Sequence, residues 1–193
     1  MDSETPFRWG ETLPVLDTPR LTLGALGDAD VPALFEIFGD AEVMRYWSSP
    51  PLTDAAAART LLDDMRSRFA ARTLFQWGVA LRDSGAVIGT CTIFHLDADH
   101  RRAEIGFAIG RAHWRRGYAS EAVTALIRFA FDELDLHRLE ADPDPQNLPS
   151  IRLLERQGFR REGLLRERYF LNGEPQDAAY YGLLRREWTE AAG

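Results

Sequence analysis

The sequence predicts a single α/β (α+β) domain with one mixed, mostly antiparallel sheet and helices on both of its faces. The first half of the chain carries the alternating apolar patterns of antiparallel strands, and the second half alternates strand, helix, strand, helix and strand. The chain has 193 residues, of which 45% are hydrophobic, and this is enough for one substantial core.

The first half begins with a polar segment and continues with strands and helices. Residues 1–17 lack periodicity and are predicted to form an arm on the surface, followed by a domain over residues 18–190. The run "PRLTLGAL" predicts a strand, and the Ala-rich segment 54–71 predicts a helix. Residues 74–96 predict two strands joined by a turn at Asp83-Ser84-Gly85.

The second half begins with the strand "RAEIGFAIG", and apolar residues at helical spacing then predict a helix over about residues 119–134. A strand, "HRLEAD", is followed by the break "PDPQNLP", a helix "SIRLLERQG" and two closing strands. Because the prolines keep "HRLEAD" from continuing, we expect the two central strands to part there. Such a splayed sheet leaves backbone groups with which an extended, amide-bearing ligand could pair.

Composition excludes several classes of function. The net charge of −7 argues against a nucleic-acid surface and favours amine-bearing ligands. The sequence lacks an 18-residue apolar run and the start lacks the features of a signal peptide, so we expect a cytoplasmic protein without membrane contact. Cys91 lies in an apolar run and is expected to be a small buried residue. The four histidines, at positions 95, 100, 113 and 137, lack ligand spacing, and we expect no metal site.

A cluster of positive charge precedes the helix at 119–134. In "HWRRGYAS", Arg115, Arg116 and Gly117 lie where the exposed N–H groups and the positive end of the helix dipole are expected. Gly117 lets the backbone approach a ligand closely. The pattern therefore indicates an anion site. The alternative is a purely structural glycine turn whose arginines are exposed to solvent, which would have the same sequence.

The strand "AEIGFAIG" has two different faces. Ile105, Phe107 and Ile109 point one way and form ordinary core. The opposite face is a trough of small residues with a carboxylate at one end, formed by Glu104, Gly106 and Ala108.

The run "AEIGFAIGRAHWRRGYASEAVTALIRFAF", together with "NLPSIRLLERQGF", "NG" and "YYGLL", resembles the GNAT superfamily of acyl-CoA-dependent N-acetyltransferases. The segment "TPRLTLGALGDADVPALFEIFGDAEVMRYW" and Asn-x-x-Ser followed by "GF" are most similar to the RimJ/RimL type, which acetylates protein N-terminal amines. The resemblance extends from about Thr18 to Trp188. It implies a sheet splayed into a V that holds acetyl-CoA, and direct transfer of the acetyl group to a primary amine in a ternary complex.

The resemblance also assigns the cofactor site. The family's diphosphate loop falls on Trp114–Ala119, with Trp in place of the usual Gln or Arg, so that Arg115 and Arg116 would supply the charge. Asn147 would bond the cofactor chain and Ser150 would lie near the thioester sulfur, although both residues could instead cap a helix. The cofactor residues implied are Phe107, Ala108, Ile109, Arg115, Arg116, Gly117, Tyr118, Ala119, Ser120, Asn147 and Ser150.

Several groups are candidates for drawing a proton from the amine. Glu104, at the cleft end of its strand, is the first choice, acting through water. An ion pair with Arg101 or Arg102 is the structural alternative for this carboxylate. Glu140 matches the base position of some relatives and is the second choice.

The closing strands offer further candidates. Some RimL-type proteins carry a catalytic glutamate where this chain has Tyr169, so the chain departs from that pattern at the catalytic position. Glu167, two residues earlier on the same strand face, could substitute, or Tyr169 could bond the acceptor or a water chain. A backbone N–H near Phe107 is expected to hold the oxyanion, and Ser150 to donate a hydrogen bond to the leaving thiolate.

The predicted function is therefore an acetyl-CoA-dependent N-acetyltransferase whose partner is an amine-bearing acceptor, foremost a protein N-terminus. One alternative is a small-amine acetyltransferase for aminoglycosides, polyamines or amino acids. The other is a catalytically silent acyl-CoA-binding regulatory domain. A monomer and a homodimer are both compatible with the sequence.

Overall fold

The computed structural model describes residues 10–171 and 173–188, which form one eight-stranded sheet flanked by helices. The strand order is β1-β2-β3-β4-β5-β6-β8-β7, and only the β5–β6 pair is parallel. This confirms the predicted fold class. The strands are β1 Leu16–Asp17, β2 Leu21–Gly24, β3 Leu74–Leu81, β4 Val87–Asp97, β5 Arg102–Ile109, β6 Arg138–Ala141, β7 Arg160–Leu171 and β8 Glu174–Leu184.

Helices cover both faces of the sheet. The α-helices are α1 Val31–Phe38, α2 Ala41–Met44, α3 Ala55–Ala70, α4 Tyr118–Arg128 and α5 Leu148–Arg156. A π-helical turn over Phe129–Glu133 continues α4. Buried residues of α1 and α3 pack together with Ala108, whereas those of α4 and α5 pack with Ile105 and Ile109 on the opposite face of β5.

The predicted N-terminal arm differs in part from the structure. Residues 1–9 lie outside the described residues. Leu16–Asp17 form β1, which pairs with β2, and Leu13 and Leu16 pack against the core. The indole nitrogen of Trp77 also donates a 2.7 Å hydrogen bond to the carbonyl of Pro14. The described end of the arm therefore joins the sheet.

The two central strands part as expected. Strands β5 and β6 pair only from Arg102↔Arg138 to Glu104↔Glu140, whereas β5 continues to Ile109. Strand β6 ends at Ala141, shortly before Pro143. The sheet is therefore splayed into a V that opens beyond Glu104.

The register of β4 and β5 identifies the backbone groups that face this opening. The Gly110 N–H donates to the Ile88 carbonyl at 2.8 Å, and in an antiparallel ladder such bonds recur every second residue. Ala108 and Gly106 therefore bond to β4, while the N–H and C=O of Phe107 point to the other edge. The Arg101 carbonyl accepts from His137 N at 2.7 Å on that same edge, which fits the alternation.

Two features are absent from the described residues. None of the helices there is long and apolar enough to cross a membrane. The same part of the chain contains no group of three His, Cys, Asp or Glu side chains that could hold a metal ion. Cys91 is buried, and burial raises the pKa of its thiol to about 12, so it is no nucleophile at neutral pH.

Candidate active site

A cleft of about 810 Å³ lies where β5 and β6 part. Its walls come from β4 and β5, the start of α5, helix α3 with the preceding segment 44–53, and the β7–β8 hairpin. Side chains with polar or aromatic chemistry in this lining include His95, Phe107, Asp142, Asn147, Ser150 and Tyr169. The structure thus brings together residues that are far apart in the sequence.

The predicted diphosphate loop has the geometry of an anion site. Gly117 has a φ of 82° and immediately precedes α4. The Glu121 N–H donates to the Gly117 carbonyl at 3.1 Å, so the N–H groups of Tyr118, Ala119 and Ser120 lie in the first turn, before the intrahelical ladder begins. Arg115 and Arg116 are both exposed beside them. The loop can therefore receive a negatively charged group.

Arg20, which the sequence analysis missed, braces this loop. Its Nη1 donates to the Arg116 carbonyl at 3.0 Å, its Nε donates to Glu121 at 2.6 Å, and its guanidinium lies 4.7 Å from the Tyr118 ring centroid. A Cβ placed on Gly117 would lie 3.3 Å from Nη2 at the end of the half-exposed Arg20 side chain, so the strain of a substitution would come chiefly from the positive φ. The contacts join segments about a hundred residues apart, and no local pattern in "PRLTL" could reveal them.

Glu121 completes the brace. Burial would raise the pKa of this carboxyl, but hydrogen bonds from Thr18 and Arg20 outweigh burial and hold its pKa below the usual value. Glu121 is therefore ionised at neutral pH and neutralises Arg20, so that the net positive field of the loop comes from Arg115, Arg116 and the helix dipole.

The three predicted strand residues differ in what they offer. Trp114 Nε1 donates to the Ile109 carbonyl at 2.5 Å, which occupies that acceptor. Ala108 is buried against the cluster formed by α1 and α3. Only Phe107 presents its backbone groups at the open edge and also lines the cleft. The tryptophan at the family's usual Gln or Arg position thus takes a structural role.

Asn147 and Ser150 lie at the start of α5. The Asn147 Oδ1 accepts from Ser150 N at 3.3 Å, so the residue does cap the helix. This cap uses only Oδ1 and leaves the amide N–H groups for a second partner. Both side chains line the cleft, so capping and contact with the cofactor are compatible.

Glu104 does not make the ion pair predicted as its alternative. Arg101 bonds Asp135 at 2.7 Å, and Arg102 bonds Asp97 and Glu140, each at 3.0 Å. Glu104 instead lies beside His95, whose Nδ1 is 3.1 Å from the Glu104 Oε1. The prediction failed because the partner comes from the neighbouring strand.

Glu140 does not belong to the cleft. It is buried and bonds Arg138 at 2.7 Å and Arg102 at 3.0 Å. Burial would raise the pKa of Glu140, but hydrogen bonds from Arg138 and Tyr180 and the charge of Arg102 outweigh burial and leave its pKa lowered. A carboxylate so strongly paired is a poor proton acceptor. We infer that Glu140 stabilises the fold through its ion pairs with Arg138 and Arg102.

Tyr169 lies in the cleft and donates a short hydrogen bond to Asp142. Burial and this carboxylate raise the pKa of Tyr169 above its usual value, so the phenol stays protonated at neutral pH. Asp142 was missed because it follows the end of β6, where the Pro-rich sequence predicts only a break.

Glu167 does not share the strand face of Tyr169. The β7–β8 register shifts between Leu165 and Tyr169, and Glu167 has a φ of 52° within this irregularity. Its N–H donates to Asp177 at 2.8 Å, and its side chain is exposed and does not line the cleft. The two-residue alternation assumed for this position fails because a bulge interrupts the strand.

Comparisons with known proteins bear on the family and the fold. The model of the GNAT acetyltransferase domain matches residues 20–160. The "Uncharacterized N-acetyltransferase p20" of Bacillus licheniformis is 37% identical over 174 residues, covering 90% of this chain and 98% of the relative. A crystal structure of a GNAT-family acetyltransferase from Bacillus anthracis is 28% identical with a TM-score of 0.80, covering 90% of this chain and all of that one (100%).

Two further relatives have names that specify an acceptor. The "Putative ribosomal N-acetyltransferase YdaF" of Bacillus subtilis is 32% identical over 143 residues, covering 74% of this chain and 77% of the relative. The "Spermidine N(1)-acetyltransferase" of Vibrio cholerae is 25% identical over 174 residues, covering 88% of this chain and 95% of the relative.

Proposed function

Because the chain belongs to the GNAT family of N-acetyltransferases, which use acetyl-CoA, we propose that its acceptor is the N-terminal α-amine of a protein or peptide. The observation that carries the proposal is the mixed charge of the cleft. Arg45 and Arg68 line it together with carboxylates, so it offers no continuous acidic track for a polycation.

The carboxylates of the cleft are also engaged within the chain. Asp142 accepts from Tyr169, Asp144 accepts from Gln146 N at 2.7 Å, and Asp177 accepts from Glu167 N at 2.8 Å. Asp64 lies 3.9 Å from Arg68. A single ammonium group can be accommodated near such carboxylates, whereas a polyamine needs several that are free.

The cofactor fits the residues present. The loop at Gly117 would hold the diphosphate, and the Phe107 backbone and the Asn147 amide would bond the extended chain. Acetyl-CoA supplies an activated acetyl thioester. Phe107 N–H at the open edge of β5 would stabilise negative charge on the thioester oxygen, and Ser150 would donate to the leaving sulfur.

The chemistry of the acceptor favours an α-amine. At pH 7, deprotonating an α-amine costs roughly 1.4 kcal/mol, whereas a lysine-type amine costs about 4.6 kcal/mol. Asp142, Asp144 and Asp177 already accept hydrogen bonds and would be weak bases, and a weak base suffices for the smaller cost. The name of the Bacillus subtilis relative supports a ribosomal acceptor, and acetylation of ribosomal proteins would place the enzyme in the cytoplasm.

The test is acceptor-dependent thiol release from acetyl-CoA. The panel contains peptides with Ser, Ala or Thr at the N-terminus, the same peptides with a blocked α-amine and an added lysine, and spermidine, an aminoglycoside and free amino acids. We expect release only with free α-amines on peptides. Release with spermidine alone would instead favour the polyamine acceptor named for the Vibrio relative. Tight binding of acetyl-CoA without release from any acceptor would favour the regulatory alternative.

A further inference from the structure

We propose that His95, oriented by Glu104, accepts the proton that the acceptor amine must lose. His95 lines the cleft and its side chain is 60% exposed, whereas the Glu104 side chain beneath it is only 11% exposed. The Nδ1 of His95 lies 3.1 Å from Glu104 Oε1. The carboxylate is thus largely covered, and the imidazole stands between it and the substrate.

The backbone of β4 is shaped to place this imidazole. The β4–β5 register shifts between the pairs Phe94↔Glu104 and Asp97↔Arg102, and His95 has a φ of 49° inside that bulge. A left-handed conformation is unfavourable for a non-glycine residue by about 1–2 kcal/mol. Bulges with such residues re-aim side chains next to active sites. Here the bulge turns His95 over Glu104.

The proximity of Glu104 favours one state of the ring. A carboxylate can only accept a hydrogen bond, so it favours a proton on the Nδ1 that lies 3.1 Å away and leaves the lone pair of Nε2 free to accept another proton. The second oxygen, Oε2 of Glu104, is buried and has no hydrogen-bond partner within the described part of the chain. The negative charge of Glu104 therefore has His95 as its direct partner, and it stabilises the imidazolium that forms.

Other charged groups surround the pair. Asp142 and Tyr169 lie in the same cleft, and Arg68 faces it from α3. Arg168, on β7, is near enough to Glu104 and Asp142 to interact with both electrostatically. Asp97, on β4 itself, is bonded to Arg102 and His100. Tyr169 is held protonated, so its phenol is not a proton acceptor, whereas the exposed imidazole of His95 lines the same cleft.

The proposed step balances as follows. The acceptor enters as an ammonium ion, and His95 Nε2 takes one of its protons directly or through one water. The nitrogen lone pair then attacks the thioester carbonyl carbon, the C–N bond forms, and the C–S bond breaks with its electron pair on sulfur. A second proton leaves the nitrogen and reaches the thiolate through the Ser150 hydroxyl, and His95 returns its proton to solvent. The products are the N-acetyl amine, CoA thiol and one proton.

This inference rests on amine acetylation in this cleft, but not on the proposal that the acceptor is an α-amine. It is tested with whichever acceptor gives thiol release, so failure of one does not imply failure of the other. The informative variants are His95→Asn and Glu104→Gln. Asparagine tolerates positive φ and so preserves the bulge. The matched control is His100→Asn, on the exposed β4–β5 loop outside the cleft.

The first readout is kcat/KM against pH, with acetyl-CoA affinity measured on the same samples to verify folding. We expect His95→Asn to lower kcat/KM about 100-fold near pH 7, the typical worth of a general base. The deficit should shrink at higher pH as the amine loses its proton unaided. Glu104→Gln should also lower kcat/KM near pH 7, because the carboxylate that orients the imidazole is gone. His100→Asn should match the wild type.

The second readout is the ¹⁵N spectrum of the imidazoles, with the His95 signals assigned by their loss in His95→Asn. We expect the Nδ1–H tautomer in the wild type and a shift towards Nε2–H in Glu104→Gln. An unchanged pH profile in His95→Asn would overturn the proposal. So would an Nε2–H tautomer in the wild type. Loss of the acidic limb in Glu104→Gln but not in His95→Asn would make Glu104 itself the base and also refute the role of His95.

Discussion

Replacing Gly117 with glutamate separates binding of the cofactor from backbone strain. Gly117 has a φ of 82°, where a side chain costs about 1–2 kcal/mol of folding free energy. The added carboxylate would lie at the start of α4, beside Arg20 Nη2, which is 3.3 Å from the Cβ position. At about 6 Å from a phosphate charge and an effective dielectric of about 20, the repulsion amounts to roughly 3 kcal/mol.

That repulsion corresponds to an increase of about 100-fold in the Kd for acetyl-CoA. Calorimetry of acetyl-CoA binding measures the loss, and urea unfolding measures the strain. Gly85→Glu is the matched control, because Gly85 has a φ of 70°, lies in the β3–β4 turn and has open space around its Cβ position. Both variants should lose similar stability, but only Gly117→Glu should lose affinity. Near wild-type binding by Gly117→Glu, with the control also unaffected, would refute the assignment of the loop.

Two other variants probe the ion network and the sulfur site. Glu140→Gln should reduce the free energy of unfolding by about 3 kcal/mol, because it leaves Arg138 and Arg102 without a buried carboxylate. Since the pKa of Glu140 is lowered in the folded state, its stabilisation is present above the usual value of 4.5 and is lost as pH falls through the folded pKa, so the variant should show a flatter acid limb in urea melts. An unchanged unfolding curve would contradict this reading. Ser150→Ala should lower kcat about 10-fold or more with little change in acetyl-CoA affinity, as expected for a hydrogen bond that matters chiefly in the transition state, and a loss of affinity alone would limit Ser150 to the helix start.

Local sequence chemistry was sufficient to predict most elements and the glycine turn before α4. The turn at Asp83-Ser84-Gly85 and the flanking alternation predict the β3–β4 hairpin, and the prolines after β6 predict where the sheet opens. Gly117 is identifiable because the left-handed conformation and the close approach both require glycine. These signals are local, so a single sequence contains them.

The carboxylates were harder to place because their roles depend on partners from other strands. Nothing in "RLEA" reveals that Glu140 meets Arg102, and nothing in "LLRERYF" reveals the bulge at Glu167. His95 carries no local signal, because the spacing of the four histidines indicates only that they are not a metal-ligand set. The break in alternation at "FHLDADH" belongs to the bulge that turns this histidine over Glu104, and only the pairing of β4 with β5 shows it.

The contacts of Arg20 with α4 have a consequence for how the protein folds. They join residues 101 apart in the chain, so the anion loop gains its brace only after β2 has docked in the sheet. Non-local pairings of this kind form late, because the intervening chain must first be ordered. Acetyl-CoA held at the finished loop, as proposed, would therefore stabilise the whole domain and not α4 alone. Acetyl-CoA binding measured during refolding would therefore report when the whole domain, including β2, has folded.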